Sequence, residues 1–414
     1  MNDRTTKIPG TLWAMRPGRR LRGAVLIAAG LLLAATAWGQ GEGESGYVSP
    51  YDPVDEYLDA IDRLESDYGP YATELSDLFL GLGQTLISRG EYEKARDAFH
   101  RGVLVVRVNS GPNSPEQTNH LYLLANIEST LGNNDAADKI LQNIHFINAE
   151  FYGEDSPKML PVLDRMYQWY MVTRLLGTPD AEYSDYYQTV DISKEMARIS
   201  EASLGKNHPD TAAAIHRLAD AQFQTTRYLI DELESYRAIE APINDYYESA
   251  QHNYRKYLEI LQALESTTPQ QYAEAMAGLG DWYLLFHKPA LSRTLYQRGY
   301  RILTETEQPA EVIENYMGQP RPMHYIANAP LILPEEGAKE LRELNLEVSM
   351  TVTIYGEIRE AEVVKAPREL SEKEIELIRH QLRNYRFRPA MKEGEIITTR
   401  DFIWQYPIAM GGAS

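Results

Sequence analysis

The sequence predicts an α+β protein in which a solenoid of paired α-helices is followed by a small domain of β-hairpin, helix and closing strand. Two observations predict this architecture. A pattern of small and large residues recurs about every 42 residues between residues 55 and 313, and alternating apolar residues begin at Val348. A third observation, the lack of catalytic motifs, indicates a binding protein and not an enzyme.

Residues 1–39 have the composition of an export signal. A basic segment that ends at Arg22 precedes an apolar stretch from Ala24 to Ala37, and Ala35-Thr36-Ala37 matches an A-x-A cleavage site. This stretch is shorter than the ~20 residues that a membrane-spanning helix needs. We therefore expect cleavage and a periplasmic mature protein that begins with a linker at residues 40–54. The alternative is an uncleaved inner-membrane anchor.

The charge of the chain argues against a nucleic-acid partner. It has 60 acidic and 41 basic side chains, and residues 40–345 contain 48 of the acidic and 25 of the basic ones. A surface of this sign repels nucleic-acid phosphates and anionic lipids. Cysteine is absent from the sequence, which excludes disulfides and thiolate metal sites.

A repeated set of small residues predicts helix pairs across residues 55–313. In the first copy, Gly83 and Ala95 stand where two helices touch, and Phe99 fills the space between them. The small positions recur 42 residues later. Members of the same register are Ala125 and Ala137 in the second copy, and Gly280, Ser292 and Tyr296 in the last copy.

The period and the loops of this region resemble tetratricopeptide repeats. Gly-x-x-Ser-Pro loops end at Pro115 and Pro157, and a related loop runs from Gly205 to Thr211. The 42-residue period is similar to the kinesin-light-chain type of repeat. The resemblance implies about five helix pairs, with insertions around residues 178–187 and 228–246, and a concave surface that binds extended peptides.

A Pro-rich linker is predicted at residues 314–345. Pro320, Pro322, Pro330 and Pro334 prevent the helices from continuing. We expect an extended segment, and its end, from Glu335 to Leu344, is compatible with a short helix.

The next residues predict a hairpin and a helix. The second strand runs from Ile358 to Val364 after a turn at Gly356, and Ser371 and Glu374 have the spacing of a capping box for a helix that ends near Asn384. The apolar face of the first strand consists of Val348, Met350, Val352 and Ile354.

The end of the chain resembles the C-terminal domain of TonB-family proteins. After the hairpin and helix come Arg386-Phe387-Arg388-Pro389-Ala390, a turn at Lys392 to Glu395, and a last strand from Ile396 to Tyr406. The resemblance covers residues 346–410 and implies a periplasmic contact module without an active site. It also implies that Phe387 lies in the core and that the flanking arginines, Arg386 and Arg388, point outward.

In the resembled family, a partner's extended segment is added beside the last strand, and such edges pair through backbone groups. This implies partner binding at Thr398, Thr399, Arg400 and Phe402. The alternatives are that the edge pairs with a second copy of the module, giving a dimer, or that residues 314–345 cover it.

No sequence motif indicates catalysis, a cofactor or a metal. P-loop, Gly-x-Gly-x-x-Gly, Gly-x-Ser-x-Gly and His-Glu-x-x-His patterns are missing. His208 and His216 are the nearest histidines, but one belongs to a repeat loop and the other to a helix face. We therefore predict no catalytic, cofactor-binding or metal-binding residue.

Two functions are consistent with these features. The first is an exported scaffold that binds protein or peptide partners through the repeat groove and the edge strand. The second is an inner-membrane energy transducer of the TonB type that contacts an outer-membrane transporter. The short apolar segment favours the scaffold, as do the helical repeats that occupy the place of that family's Pro-rich spanning region.

Overall fold

A computed structural model describes residues 52–171, 183–235, 241–323, 331–334 and 342–411. The predicted export signal and nearly all of the linker after it lie outside these residues. The chain divides into two compact units between Trp169 and Tyr170. None of the described helices has the length and apolar character required to cross a membrane.

The first unit contains consecutive helices joined by short loops. Its two Ser-Pro loops become single 3₁₀ turns, because Ser114 and Ser156 accept hydrogen bonds from backbone N–H groups two residues on and proline fits the first helical position. The helices are α1 (Pro53–Tyr68), α2 (Leu75–Ser88), α3 (Tyr92–Ser110), α4 (Thr118–Thr130), α5 (Asn134–Tyr152) and α6 (Leu160–Trp169).

The second unit continues with longer helices. Helix α2 packs on α3 and α4 on α5 in the first unit, and here α8 packs on α9 and α10 on α11. The described parts of the predicted insertions belong to α7, α8 and α9. The helices are α7 (Tyr183–Leu204), α8 (Pro209–Ser235), α9 (Ala241–Ala263), α10 (Pro269–Leu285), α11 (Pro289–Glu305) and the short α12 (Ala310–Ile313).

The small residues of the repeat pattern lie where paired helices approach most closely. A Cβ atom at Gly83 would lie 2.4 Å from the Phe99 ring, and one at Gly280 would lie 2.6 Å from the Tyr296 ring. Ala95 is fully buried in the same interface. The register predicted for the first and last repeats is therefore the observed one.

The C-terminal part of the second unit forms a four-stranded sheet and two short strand pairs. The order in the sheet is β2-β8-β3-β4, in which β8 runs antiparallel to β3 and parallel to β2. Strand β1 pairs with β5, and β6 with β7. The strands are β1 (Arg321–Met323), β2 (Leu331–Pro334), β3 (Arg342–Val352), β4 (Ile358–Lys365), β5 (Arg386–Arg388), β6 (Met391–Lys392), β7 (Glu395–Ile396) and β8 (Thr399–Gly411).

Helix α13 (Glu372–Asn384) lies between β4 and β5 and ends where the sequence predicts. Both hydrogen bonds of the predicted capping box form, since the Ser371 hydroxyl accepts from the Glu374 N–H and the Glu374 carboxylate accepts from the Ser371 N–H. Phe387 is fully buried in the core between helix and sheet. The order of hairpin, helix and strand is thus the predicted order.

Several predicted details are wrong. The predicted short helix from Glu335 to Leu344 does not reach its predicted end, because Arg342 to Leu344 belong to β3, and its residues 335–341 lie outside the described residues. Strands β1 and β2 lie inside the predicted linker, where an extended backbone is expected. The last strand starts at Thr399, since Ile396 pairs with Met391 across the turn at Gly394. It extends past Tyr406 because the early start of β3 supplies pairing partners as far as its end.

Ile354 is a further correction. Val348, Met350 and Val352 are buried as predicted, but Ile354 is 36% exposed. The alternation ends with β3 at Val352, and Ile354 already belongs to the turn that leads to β4.

Candidate functional site

The structure joins the C-terminal module to the last helix pair through Arg388. Only 3% of this residue is exposed. Its Nη2 donates to Asp281 Oδ2 at 2.8 Å, and its Nη1 donates to Glu274 Oε2 at 3.0 Å. The prediction that Arg388 points outward is wrong, because a buried guanidinium requires acidic partners and α10 supplies two of them.

Two elements bring these groups together. Glu274 and Asp281 are seven residues apart on α10, about two helical turns, and so share one face. On the other side, Arg321 in β1 pairs with Arg388 in β5, and Arg321 Nη1 lies 3.0 Å from Glu274 Oε2. Glu274 therefore bridges the two arginines of adjacent strands.

Arg386 provides the contrast to Arg388. It is partly exposed, and its Nη1 donates only to the backbone carbonyls of Arg383 and Tyr385, both at 3.2 Å. The residues alternate along β5, so Arg386 and Arg388 flank the buried Phe387. Only Arg388 meets carboxylates.

The pKa values of the two α10 carboxylates, Asp281 and Glu274, are shifted in opposite directions. Burial raises the pKa of Asp281, opposed by Arg388 and by the Tyr296 hydroxyl, which donates to Asp281 Oδ1 at 2.6 Å. Burial also disfavours the charge of Glu274, but Arg388 and Arg321 outweigh it and lower its pKa. Because arginine stays charged and donates to both acids, we interpret this cluster as ionised.

Apolar contacts continue the same junction. Met323, the last residue of β1, is 2% exposed and packs in a cluster with Phe223 of α8 and with Trp282 of α10. Met391 packs beside Tyr296. The strand pair β1–β5 and the turn after it therefore cover one face of the last repeats.

A second buried acid lies on α8. The Tyr254 hydroxyl donates to Asp220 Oδ1 at 2.8 Å, and His216 Nε2 is 3.6 Å from the same oxygen. Burial lowers the pKa of His216 to about 4 and raises that of Asp220. His208 instead accepts from the Asp210 N–H at its loop. Within the described residues, no group of three or more His, Asp or Glu side chains is arranged to hold a metal ion.

One helix position distinguishes the two units. The residue directly after the helix-contact position is a carboxamide in three repeats, at Gln84, Asn126 and Gln168, each 42 residues from the next. In the second unit it is the buried Asp220 or Asp281. Gln84 and Gln168 are exposed and Asn126 is half-buried, and none of these amide groups bonds to a residue that the structure describes. The 42-residue spacing would have revealed this column from the sequence.

The four residues predicted to bind a partner lie at the start of β8. Thr398 and Arg400 are exposed, and Thr399 is the first residue of the strand, opposite Val352 of β3. Phe402 is half-buried, with its ring centroid 6.0 Å from that of Phe387. Phe402 therefore contributes to the core of the module and offers less surface than predicted.

Comparison with solved structures finds tetratricopeptide-like repeat proteins. BtubC (BKLC) from P. vanneervenii is 16% identical, over 61% of this chain and 89% of that chain, with a TM-score of 0.37. A Podosopora anserina protein described as a kinesin light chain with nearly identical TPR-like repeats is 16% identical, over 57% and 99% of the two chains, with a TM-score of 0.40. A variant of that protein is 15% identical, over 56% of this chain and 97% of that chain, with a TM-score of 0.39.

No model of a known protein family matches the sequence, and no curated protein matches it. The class is accordingly defined by the chain's own features, which are consecutive helix pairs and a small C-terminal sheet region.

Proposed function

We propose that this protein is an exported periplasmic scaffold that holds protein or peptide partners on its first repeats and on the edge of its C-terminal sheet. The observation that carries the proposal is the column of carboxamides at Gln84, Asn126 and Gln168. A carboxamide both donates and accepts hydrogen bonds, as a peptide group does. A row of them therefore suits the backbone of an extended polypeptide, whatever its side chains.

The spacing of the column supports this use. Helices α2 and α4 are in contact, with Ser76 Oγ 3.0 Å from His120 Nε2. Packed helices lie about 8–10 Å apart, and three residues of an extended strand span about 10 Å. One amide for every third peptide residue follows from these two lengths.

The last repeat does not offer the same surface. Its equivalent residue, Asp281, is bound by Arg388, and Met323 fills the adjacent apolar site. We therefore assign partner binding to the first three repeats, where the amides are unoccupied by described residues.

The test is selection of peptides from a random library on the full-length protein. Replacing Gln84, Asn126 and Gln168 together by Ala removes three hydrogen-bonding groups and should weaken a selected peptide at least about tenfold. Gln142→Ala is the matched control, because Gln142 is an exposed amide on the second helix of a pair and bonds to Asp138. Equal affinity of the triple variant and the control would exclude the amide column.

The edge of β8 is the second proposed surface. On one side β8 pairs with β3 along most of its length, whereas on the other side β2 pairs only with residues 408–411. Among the described strands, none pairs with that side of residues 399–407. The position of β2 supports the proposal, because it is an extended segment added in parallel to this edge. Strand addition of this kind is what the TonB-like module implies.

Two exposed arginines give a matched test of the edge. Arg400 lies on β8, and Arg359 lies on β4 at the opposite edge of the sheet, where it contacts Glu357. Partners captured from periplasmic extract by the full-length protein should be reduced by Arg400→Glu and retained by Arg359→Glu. Thr399→Pro, which removes a backbone donor, should reduce the same partners. Retention by both Arg400→Glu and a folded Thr399→Pro would reject the edge as a binding surface.

Export is tested by fractionating cells and sequencing the N-terminus of the protein. A soluble periplasmic protein cleaved near Ala37 is the expected result. Recovery in washed membranes with Met1 retained would instead favour an anchored energy transducer.

A further inference from the structure

A cavity of about 450 Å³ lies between the loop that precedes α8 and the side of α9. This volume is within the range of small-molecule sites, about 300–1,000 Å³. Six of its seven lining residues carry charged or polar side chains, and three of them are Lys or Arg, although residues 40–345 as a whole contain 48 acidic and 25 basic residues. The lining consists of Lys206, Asn207, His252, Arg255, Lys256, Glu259 and Ile260.

The cations of this cavity differ in their partners. Lys256 Nζ is paired with Glu201 Oε2 at 2.8 Å, so its charge is balanced. Arg255 Nη2 donates to the Tyr283 hydroxyl at 2.8 Å, which is a neutral acceptor that fixes the guanidinium without balancing its charge. Lys206 is exposed and forms no hydrogen bond or ion pair with any residue in the described part of the chain.

We propose that this cavity binds a small anion that carries carboxylate or phosphate groups. Lys206 and Arg255 supply the charge, and the planar guanidinium offers its remaining N–H groups to a pair of oxygens. Asn207 and His252 add hydrogen-bonding groups to the same walls. Glu259, the single carboxylate of the lining, repels an anion, so the charges of Lys206 and Arg255 must outweigh it.

This site is separate from the amide column and from the β8 edge, so it predicts an activity beyond scaffolding. The ligand is small because the volume of about 450 Å³ is bounded by the side chains of one loop and one helix. A peptide backbone is not required.

The experiment is calorimetric titration of the full-length protein with citrate and, separately, with inorganic phosphate at low ionic strength. We expect saturable binding at one site per chain for at least one of them, weakened at least about tenfold in Arg255→Gln and in Lys206→Ser. Binding of citrate alone assigns a polycarboxylate ligand, and binding of phosphate alone assigns a phosphate-bearing one.

Arg298→Gln is the control, because Arg298 is an exposed arginine outside the cavity. Arg255→Lys, which retains the charge but not the planar donor set, should bind with intermediate affinity and reports whether charge or geometry dominates. The absence of saturable binding for both anions would overturn the proposal. So would equal weakening by Arg298→Gln and Arg255→Gln.

Discussion

The first and last repeats are built on the same helix contact but use the neighbouring residue in opposite ways. Gly83 meets Phe99 in the first repeat, and Gly280 meets Tyr296 in the last. The hydroxyl that distinguishes tyrosine from phenylalanine donates to Asp281, which also binds Arg388. The corresponding side chain of the first repeat is exposed.

This difference shows how a repeated fold acquires a fixed end. An exposed amide remains hydrated, so it costs little folding free energy and stays available to a partner. A buried carboxylate is stable in its charged form only with a cation and hydrogen-bond donors beside it. In the last repeat the chain itself supplies both, through Tyr296 and Arg388. These bonds attach the C-terminal module to the last repeat.

The largest expected effect is that of Arg388→Ala. It leaves Asp281 and Glu274 without their main cation, and breaking a buried ion pair in this way costs about 3–5 kcal/mol. Arg386→Ala, two residues away, removes only bonds to backbone carbonyls and should change stability far less. Denaturant unfolding of the full-length protein measures both. Similar losses for the two variants would mean that the buried cluster contributes no special stability.

A smaller effect compares two glycines of α10. A Cβ at Gly280 would meet the Tyr296 ring, so Gly280→Ala should destabilise by about 1–3 kcal/mol through overpacking. A Cβ at Gly278 would meet nothing within 4 Å, so Gly278→Ala should stabilise by roughly 0.5–1 kcal/mol. Gly83→Ala should behave like Gly280→Ala if the two repeats share one contact. Thermal melts showing the same sign for Gly278→Ala and Gly280→Ala would contradict this packing.

The smallest expected effect is a pH dependence in the first unit. Burial lowers the pKa of His120 to about 4, against a weaker opposing influence of Asp77. Below pH 6.5 the unfolded chain therefore takes up a proton at His120, whereas the folded chain does so only as the pH approaches 4. Stability is fully present above that pH and is lost as the pH falls towards 4, by roughly 1 kcal/mol at pH 5.5.

His120→Gln is the reference for this prediction, because glutamine does not titrate and keeps a polar partner for Ser76. As the pH falls from 7 to 5, the unfolding free energy of the parent should decrease relative to that of the variant. A constant difference would mean that His120 takes up its proton equally in both states.

Local spacing was enough to predict much of this structure. The capping box at Ser371, the hairpin turn at Gly356 and the small contact residues depend on neighbours within one or two helical turns or on a fixed period. The Arg388–Asp281 bond joins residues 107 positions apart and has no periodic signal. The alternation of side chains along β5 correctly predicts that Arg386 and Arg388 lie on the face opposite to Phe387. It does not indicate which part of the chain covers Arg388.

Hydrogen exchange on the parent and on Arg388→Ala tests most directly whether the module and the last repeat form one unit. We predict that the variant loses amide protection in Pro269–Leu285 and in the strands of the module, because both depend on the same buried cluster. Protection of Leu75–Tyr152 should stay as in the parent. Unchanged protection of Pro269–Leu285, or an equal loss in Leu75–Tyr152, would contradict this account.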